Sequence, residues 1–279
     1  MKEFLTINKE YAGDFIQGGR NYQEDDFGFD NSRPFDFLMV LADGMGGHQG
    51  GAEASSLAIK SFMNAYHIAK GSVTKRLKEA LEITNQQIGI QAKSDPKLKG
   101  MGCTLVGVVF NGEQLEWISV GDSPLWLYNA AEGLRRLNAD HSMKPILEEQ
   151  VQHGQLTKKA AAKHSLRNML LSAITGAEMK LIDQSSIKYY PGDRILLASD
   201  GILTLPEPKM AKILSKVLPS NQLVKNLLDA VSKKMNDNQD NTTALVLHIP
   251  NQTQMEKASK NNLLKRVINY YQHNLRKKP

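Results

Sequence analysis

The chain has a single cysteine, Cys103, among its 279 residues, which excludes a disulfide framework and a cysteine-based zinc site. It has no apolar run long enough to span a bilayer, and Met1 to Gln17 carries charges throughout with no apolar core of signal-peptide length. A soluble, cytoplasmic protein is the expectation. A basic body is also missing. The formal charge is +6, but residues 251–279 hold seven Lys/Arg and one Glu, so residues 1–250 carry 28 of each sign and are neutral. That distribution speaks against a nucleic-acid enzyme, which would set its basic stripe beside the catalytic centre. No internal repeat and no low-complexity linker divides the chain. With 41% hydrophobic residues it can bury the core of one large domain, 1–250, followed by a basic tail, 251–279.

What is present is organised around residues 35–51. An apolar run from Phe35 to Ala42, of the kind that forms a buried strand, stops on Asp43 and passes into Gly44-Met45-Gly46-Gly47-His48-Gln49-Gly50-Gly51. A carboxylate at the end of a buried strand is held rigidly, and the glycines behind it let backbone groups approach a ligand. Taken alone, the stretch is equally compatible with an Asp-Gly hairpin turn or a phosphate cradle. Further acids stand in similar settings. Glu24-Asp25-Asp26 lies upstream, Asp200 closes the apolar run from Arg194 to Ser199, and Asp240 precedes the one from Thr242 to Ile249. Carboxylates gathered from distant strand ends, without cysteine or clustered histidine, suit Mg2+ or Mn2+, which take oxygen ligands.

In chain order, Tyr22 to Phe29 is expected to be a loop feeding a short strand, with Arg20 placed to offer a guanidinium near Glu24. Helical spacing predicts helices over 52–69 and 73–92, an antiparallel pair on a sheet. The runs 104–110, 114–120 and 125–128, the first two joined by Asn111-Gly112, predict an antiparallel meander. Residues 140–166 have the texture of an insertion lying over the sheet edge, with helical pieces at 145–153 and 157–163. Strands at 187–190, 194–199 and 242–249 and helices at 208–217 and 222–235 complete the domain. In the tail, Leu263, Leu264, Val267, Ile268, Tyr271 and Leu275 form one stripe of an amphipathic helix over 254–275. Such a helix packs on its own domain, docks on a partner or lies on an anionic membrane surface.

These residues resemble, from about Asp14 to Ile249, the metal-dependent serine/threonine protein phosphatases of type 2C in their bacterial form. Arg20 with Gln23-Glu24-Asp25 is similar to the opening motif of that family, and Asp43-Gly44-Met45-Gly46-Gly47-His48 to its metal loop. Gly102-Cys103-Thr104, Val120-Gly121-Asp122-Ser123, Asp140-His141-Ser142, Leu170 to Gly176, Ser199-Asp200-Gly201 and Asp240-Asn241 follow in the family's order. Each motif is weak alone; together, in this order, they are specific.

The resemblance implies an α+β fold, a four-layer α/β/β/α sandwich of two antiparallel sheets flanked by helix pairs. It implies hydrolysis of phosphoserine and phosphothreonine in protein substrates by direct attack of a water or hydroxide shared by two Mn2+ or Mg2+ ions. Asp43 would bridge the ions. Asp200 and Asp240 would hold the first, Glu24 and the carbonyl of Gly44 the second, and Asp25 would orient the water. Arg20 would bind the phosphoryl group. Asp122, with Asp200, would hold a weaker third ion. Three positions depart from the family's pattern. Met45 stands where animal members carry a histidine proposed as general acid, with His48 an alternative donor. Pro124 and Thr204 replace an arginine and an acid found in other members, and both bear on the third ion. A catalytically weak phosphoprotein-binding scaffold on the same fold is the alternative function; the intact carboxylate set speaks against it.

Overall fold

The computed structural model describes residues 11–249 except 34–35, 47–48, 112–113 and 235–236. Its strands are β1 (Tyr11–Ile16), β2 (Asp25–Asp30), β3 (Phe37–Met45), β4 (Gly102–Cys103), β5 (Leu105–Phe110), β6 (Leu115–Val120), β7 (Leu125–Asn129), β8 (Gly133–Arg136), β9 (Asp183–Ile187), β10 (Arg194–Ala198) and β11 (Thr242–His248). The helices are α1 (Gln49–Ile68), α2 (Val73–Ser94), α3 (Lys144–Gln152), α4 (Lys158–Ala162), α5 (Glu207–Leu214) and α6 (Ser220–Ser232). One sheet runs β2-β3-β5-β6-β9, with β4 on the end of β3; the other runs β1-β11-β10-β7-β8, and all pairings are antiparallel.

Strand periodicity sorts the core into layers, because successive side chains of a strand face opposite ways. On β3, Leu38, Val40 and Ala42 pack under α1 and α2 with Phe62, Leu77 and Leu81. The alternate residues Phe37, Met39 and Leu41 meet Ile195, Leu197, Leu245 and Leu247 of the other sheet. Beyond that second sheet, Leu196, Ala198, Ala244 and Val246 pack against Met210, Leu223 and Leu227 of α5 and α6. The expected four-layer sandwich is therefore present.

Several local expectations are corrected. The meander ends after β6: β7 pairs with β10 and β8 in the other sheet, while β6 takes β9 as its neighbour. The chain changes sheets at Gly121, whose φ of +104° favours glycine and whose added Cβ would lie 2.5 Å from Thr104 Cβ. The strand expected over 187–190 lies at Asp183–Ile187, since its polar residues form an edge that only the ladder with β6 defines. β1 and β8 carry no clean alternation and are also made by their partners. The helical pieces of the 140–166 segment appear as α3 and α4. The tail helix expected over 254–275, like Pro250 and everything after it, lies outside the described residues.

Leu41, fully buried between the sheets, tests the layering. Leu41→Ala is expected to cost about 2–5 kcal/mol in urea unfolding, whereas Ile90→Ala, at a position 60% exposed on α2, should change stability by no more than about 0.5 kcal/mol.

Candidate active site

The inward faces of the two sheets are apolar along most of their length and turn polar together at one end. Continuing the series Phe37, Met39, Leu41 by one step on β3 gives Asp43. On β2 the series Phe29, Phe27 gives Asp25, paired directly with Asp43 in the ladder. On β11 the series Leu247, Leu245 gives Thr243, and Ile195 and Leu197 of β10 lead to Ser199. Val108 and Val106 of β5 lead to Thr104. The result is a polar end to an otherwise apolar interface, reached by strands that the sequence keeps far apart.

Asp25 ties the sheets together there. Ser199 Oγ and Thr243 Oγ1, both on the second sheet, each donate to Asp25 Oδ2 at 2.7 Å. Asp43 is held by its backbone: Thr104 N donates to the Asp43 carbonyl at 2.8 Å, and Asp43 N donates to Thr104 Oγ1 at 3.2 Å. Asp200 opens the turn after β10, and Asp240 precedes β11, where Asn241 Oδ1 accepts from Glu24 N at 2.8 Å. Arg20, Glu24, Asp43, Gly44, Asp122, Asp200 and Asp240 thus line one cleft of about 330 Å³, with Met45, Thr104 and Asn168 also on its wall. Of the site residues anticipated in the sequence, only Asp25 stands behind this wall, in contact with it through Asp43's strand.

Crowded acids at a buried strand end resist ionisation. Burial pushes the Asp25 carboxyl up to about 6, against the opposing hydrogen bonds from Thr243 and Ser199. Burial, reinforced by the charge of Asp122, pushes Asp200 up to about 7, while the Lys144 ammonium pulls the other way. Asp43 is held well above the usual carboxylate range, first by burial and then by the charges of Asp25, Asp200, Asp122 and Asp240. Burial also pushes the Cys103 thiol up, so this residue packs as a small apolar side chain and is no nucleophile.

Does this wall suit hard cations? Its charged donors are carboxylates from both sheets, and Gly44 and Gly51 leave room around Glu24 that any side chain would fill. A Cβ at Gly51 would lie 2.3 Å from Glu24 Oε1, and one at Gly44 2.5 Å from the Glu24 carbonyl. The residues therefore fit oxygen-seeking divalent ions. Among the described residues the acids converge on the cleft without closing into a three-ligand cluster.

Two cationic side chains already reach these acids. Arg20 Nη2 donates to Asp240 Oδ2 at 2.7 Å, where both side chains are partly exposed, and the buried Lys144 Nζ donates at 2.8 Å to Oδ2 of Asp122, a residue of the cleft wall. Lys144, Ser199, Thr243 and Asn241 are site residues that the sequence does not mark as such. Thr242-Thr243 beside Asp240 was a usable signal, since hydroxyls at a strand end otherwise apolar ask for a polar partner; Lys144 left none. Thr204, one of the departures, donates from Oγ1 to Gln239 Oε1 at 2.7 Å, and His48 lies outside the described residues.

A family profile described as protein phosphatase 2C matches residues 16–257. The serine/threonine phosphatase stp of Listeria monocytogenes is 31% identical over 237 residues, covering 82% of this chain and 90% of that protein. The solved serine/threonine phosphatase PstP/Ppp of Mycobacterium tuberculosis superposes with a TM-score of 0.74 at 28% identity, over 86% of this chain and 98% of that one. A structure of the PstP catalytic domain in complex with two manganese ions superposes with a TM-score of 0.73 at 27% identity, over the same shares of the two chains. The chain belongs to the protein phosphatase 2C family of metal-dependent serine/threonine phosphatases. Within it, the relatives just described are bacterial proteins.

The raised carboxyls set a pH dependence. A carboxyl whose folded pKa exceeds its unfolded value stabilises the fold when protonated, and that contribution is lost as pH rises through the folded pKa. For Asp25 and Asp200 the loss runs from about 4, the unfolded value, to about 6 and about 7. Metal-free protein in chelating buffer should therefore melt lower at pH 8 than at pH 6. Asp43→Asn should shrink the difference, and Mn2+ should remove it while raising Tm at pH 8. Equal melting of the metal-free protein at both pH values would contradict the electrostatics.

Proposed function

We propose that the protein hydrolyses phosphoserine and phosphothreonine in cytoplasmic phosphoproteins, using two Mn2+ or Mg2+ ions held by the acids at the polar end of the sandwich. The convergence of Glu24, Asp43, Asp200 and Asp240, from both sheets, on one cleft carries this reading. Asp43, central among the acids that raise its pKa, would face both ions. Asp200 and Asp240 of the second sheet would hold one; Glu24 and the Gly44 carbonyl of the first sheet would hold the other. Two such ions, when bound, supply an acidified water and offset charge on the phosphoryl group.

The chain's own residues place the remaining parts. With Oδ2 of Asp25 engaged by Ser199 and Thr243, the plane of this carboxylate is set, and Oδ1 is the atom left with which it would orient the attacking water. Arg20 has a half-exposed side chain at the mouth of the cleft, so it can turn from Asp240 to the oxygens of an arriving phosphoryl group with little burial cost. A guanidinium fork matches such oxygens well. Met45 on the wall offers no proton, so the departing serine or threonine oxygen would draw its proton from water or from another group, for which His48 is the candidate in the sequence.

Hydrolysis of an aryl phosphate and of a phosphothreonine peptide, each with Mn2+ and with chelator, tests the activity. Asp43→Asn and Asp200→Asn are expected to lower turnover at saturating Mn2+ by about a thousandfold, with the circular dichroism of the parent; residual activity above a few percent would remove Asp43 from its assigned place. Arg20→Ala should raise KM for the phosphopeptide about tenfold and change kcat far less, as loss of uniform binding does. A collapsed kcat at unchanged KM would move Arg20's contribution to the transition state.

A further inference from the structure

Asp122 and Lys144 form a deeply buried ion pair at the cleft wall: Nζ to Oδ2 is 2.8 Å, with side-chain exposures of 6% for Asp122 and 7% for Lys144. At such depth neither charge is screened by water, and each depends on the other. We infer that Lys144 is a built-in cation that occupies Asp122, so that this chain's metal centre takes two divalent ions and leaves Asp122 out of metal binding. The inference rests on the two-ion reading above and sharpens it.

The ammonium is not a mobile surface charge that happens to be near. Lys144 is the first residue of α3, and the segment before it is fastened to the Asp122 turn from several sides. His141 N donates to the Gly121 carbonyl at 3.1 Å, and Gly121 N donates to His141 Nδ1 at 3.3 Å. Burial lowers the pKa of His141, in keeping with a neutral ring whose Nδ1 accepts. Ser142 N and Oγ both donate to Asp140 Oδ1, at 3.0 and 2.6 Å. Met143 N donates to the Met169 carbonyl at 3.0 Å. Arg136 spans the junction, donating from Nη1 to Asp140 Oδ2 at 3.1 Å and from Nη2 to the Asp122 carbonyl at 3.0 Å. Both the carboxylate and the carbonyl of Asp122 thus already face cationic groups.

A divalent ion at Asp122 would stand beside a fixed ammonium in a site of low dielectric, where like charges repel strongly. To admit it, the ammonium would have to give up its bond to Asp122 and leave a position that is 7% exposed. The ammonium also does for the crowded acids what an ion there would do, since it offsets the charges of Asp122 and Asp200 together. Lys144 is accordingly a positioning residue: it touches a neighbour of the proposed ligands and sets how many cations they gather.

Counting bound Mn2+ tests this, by electron paramagnetic resonance and calorimetry up to millimolar metal, with folding followed by circular dichroism in the same samples. The native chain should bind two ions, and so should Asp122→Asn. Lys144→Met should gain a third, bound about tenfold more tightly than any third ion on the native chain, and the double variant Lys144→Met/Asp122→Asn should return to two. A native count of three that falls to two in Asp122→Asn would overturn the inference, as would folded Lys144→Met that still binds two. Should Lys144→Met fold only with Mn2+, the native and Asp122→Asn counts decide the matter alone. A native chain that binds no Mn2+ would bring down the two-ion reading itself.

Discussion

Repulsion among carboxylates confined to one end of a β-sandwich is the constraint on which the rest of the structure depends. Asp25, Asp43 and Asp200 are each pushed toward neutrality by burial first and then by neighbouring carboxylates, and nothing local would keep them together. They are kept together by position at the ends of long antiparallel ladders whose other residues are buried in three apolar layers. The layers supply the favourable burial that opposes the local repulsion. The divalent ions proposed for the cleft would offset these charges, and metal binding would then be linked to folding stability.

The same arrangement makes each sheet incomplete without the other. Glu24, Asp25, Asp43 and Gly44 come from the first sheet and its flanks, Asp200 and Asp240 from the second. A one-residue slip of β3 in its ladders with β2 and β5 would turn Asp43 toward the helices and Ala42 toward the cleft. The two hydroxyls of the second sheet that grip Asp25 fix the relative height of the sheets at the point where it matters. The cationic side chains divide by depth: Arg20 reaches Asp240 from solvent, where an ion pair is weak and exchangeable, while Lys144 reaches Asp122 where both side chains are buried and breaking the pair would leave a buried charge unpaired.

The sequence by itself determined which groups are available and the direction in which most of them point. The run from Phe35 ending on Asp43, the acids bordering the strands at 194–199 and 242–249, and the absence of cysteine or clustered histidine were enough to specify an oxygen-lined centre at strand ends, because strand alternation is a local property. Helical spacing located α1, α2, α3, α5 and α6 to within a few residues for the same reason. The order of motifs carried the family.

Only the tertiary structure decided the pairings between distant segments. That β7 leaves the meander for the second sheet, that β9 lies at 183–187, and that β1 is a strand at all follow from ladders with partners up to the far end of the chain, to which local pattern is blind. The grip of Ser199 and Thr243 on Asp25 and the meeting of Lys144 with Asp122 are of the same kind. A lysine opening a helix reads in sequence as a solvated charge. It becomes part of the centre because the turn at Gly121, the bonds of Asp140 to Ser142 and the start of α3 bring its ammonium to a buried carboxylate 22 residues away, where the low dielectric turns an ordinary charge into a fixed one.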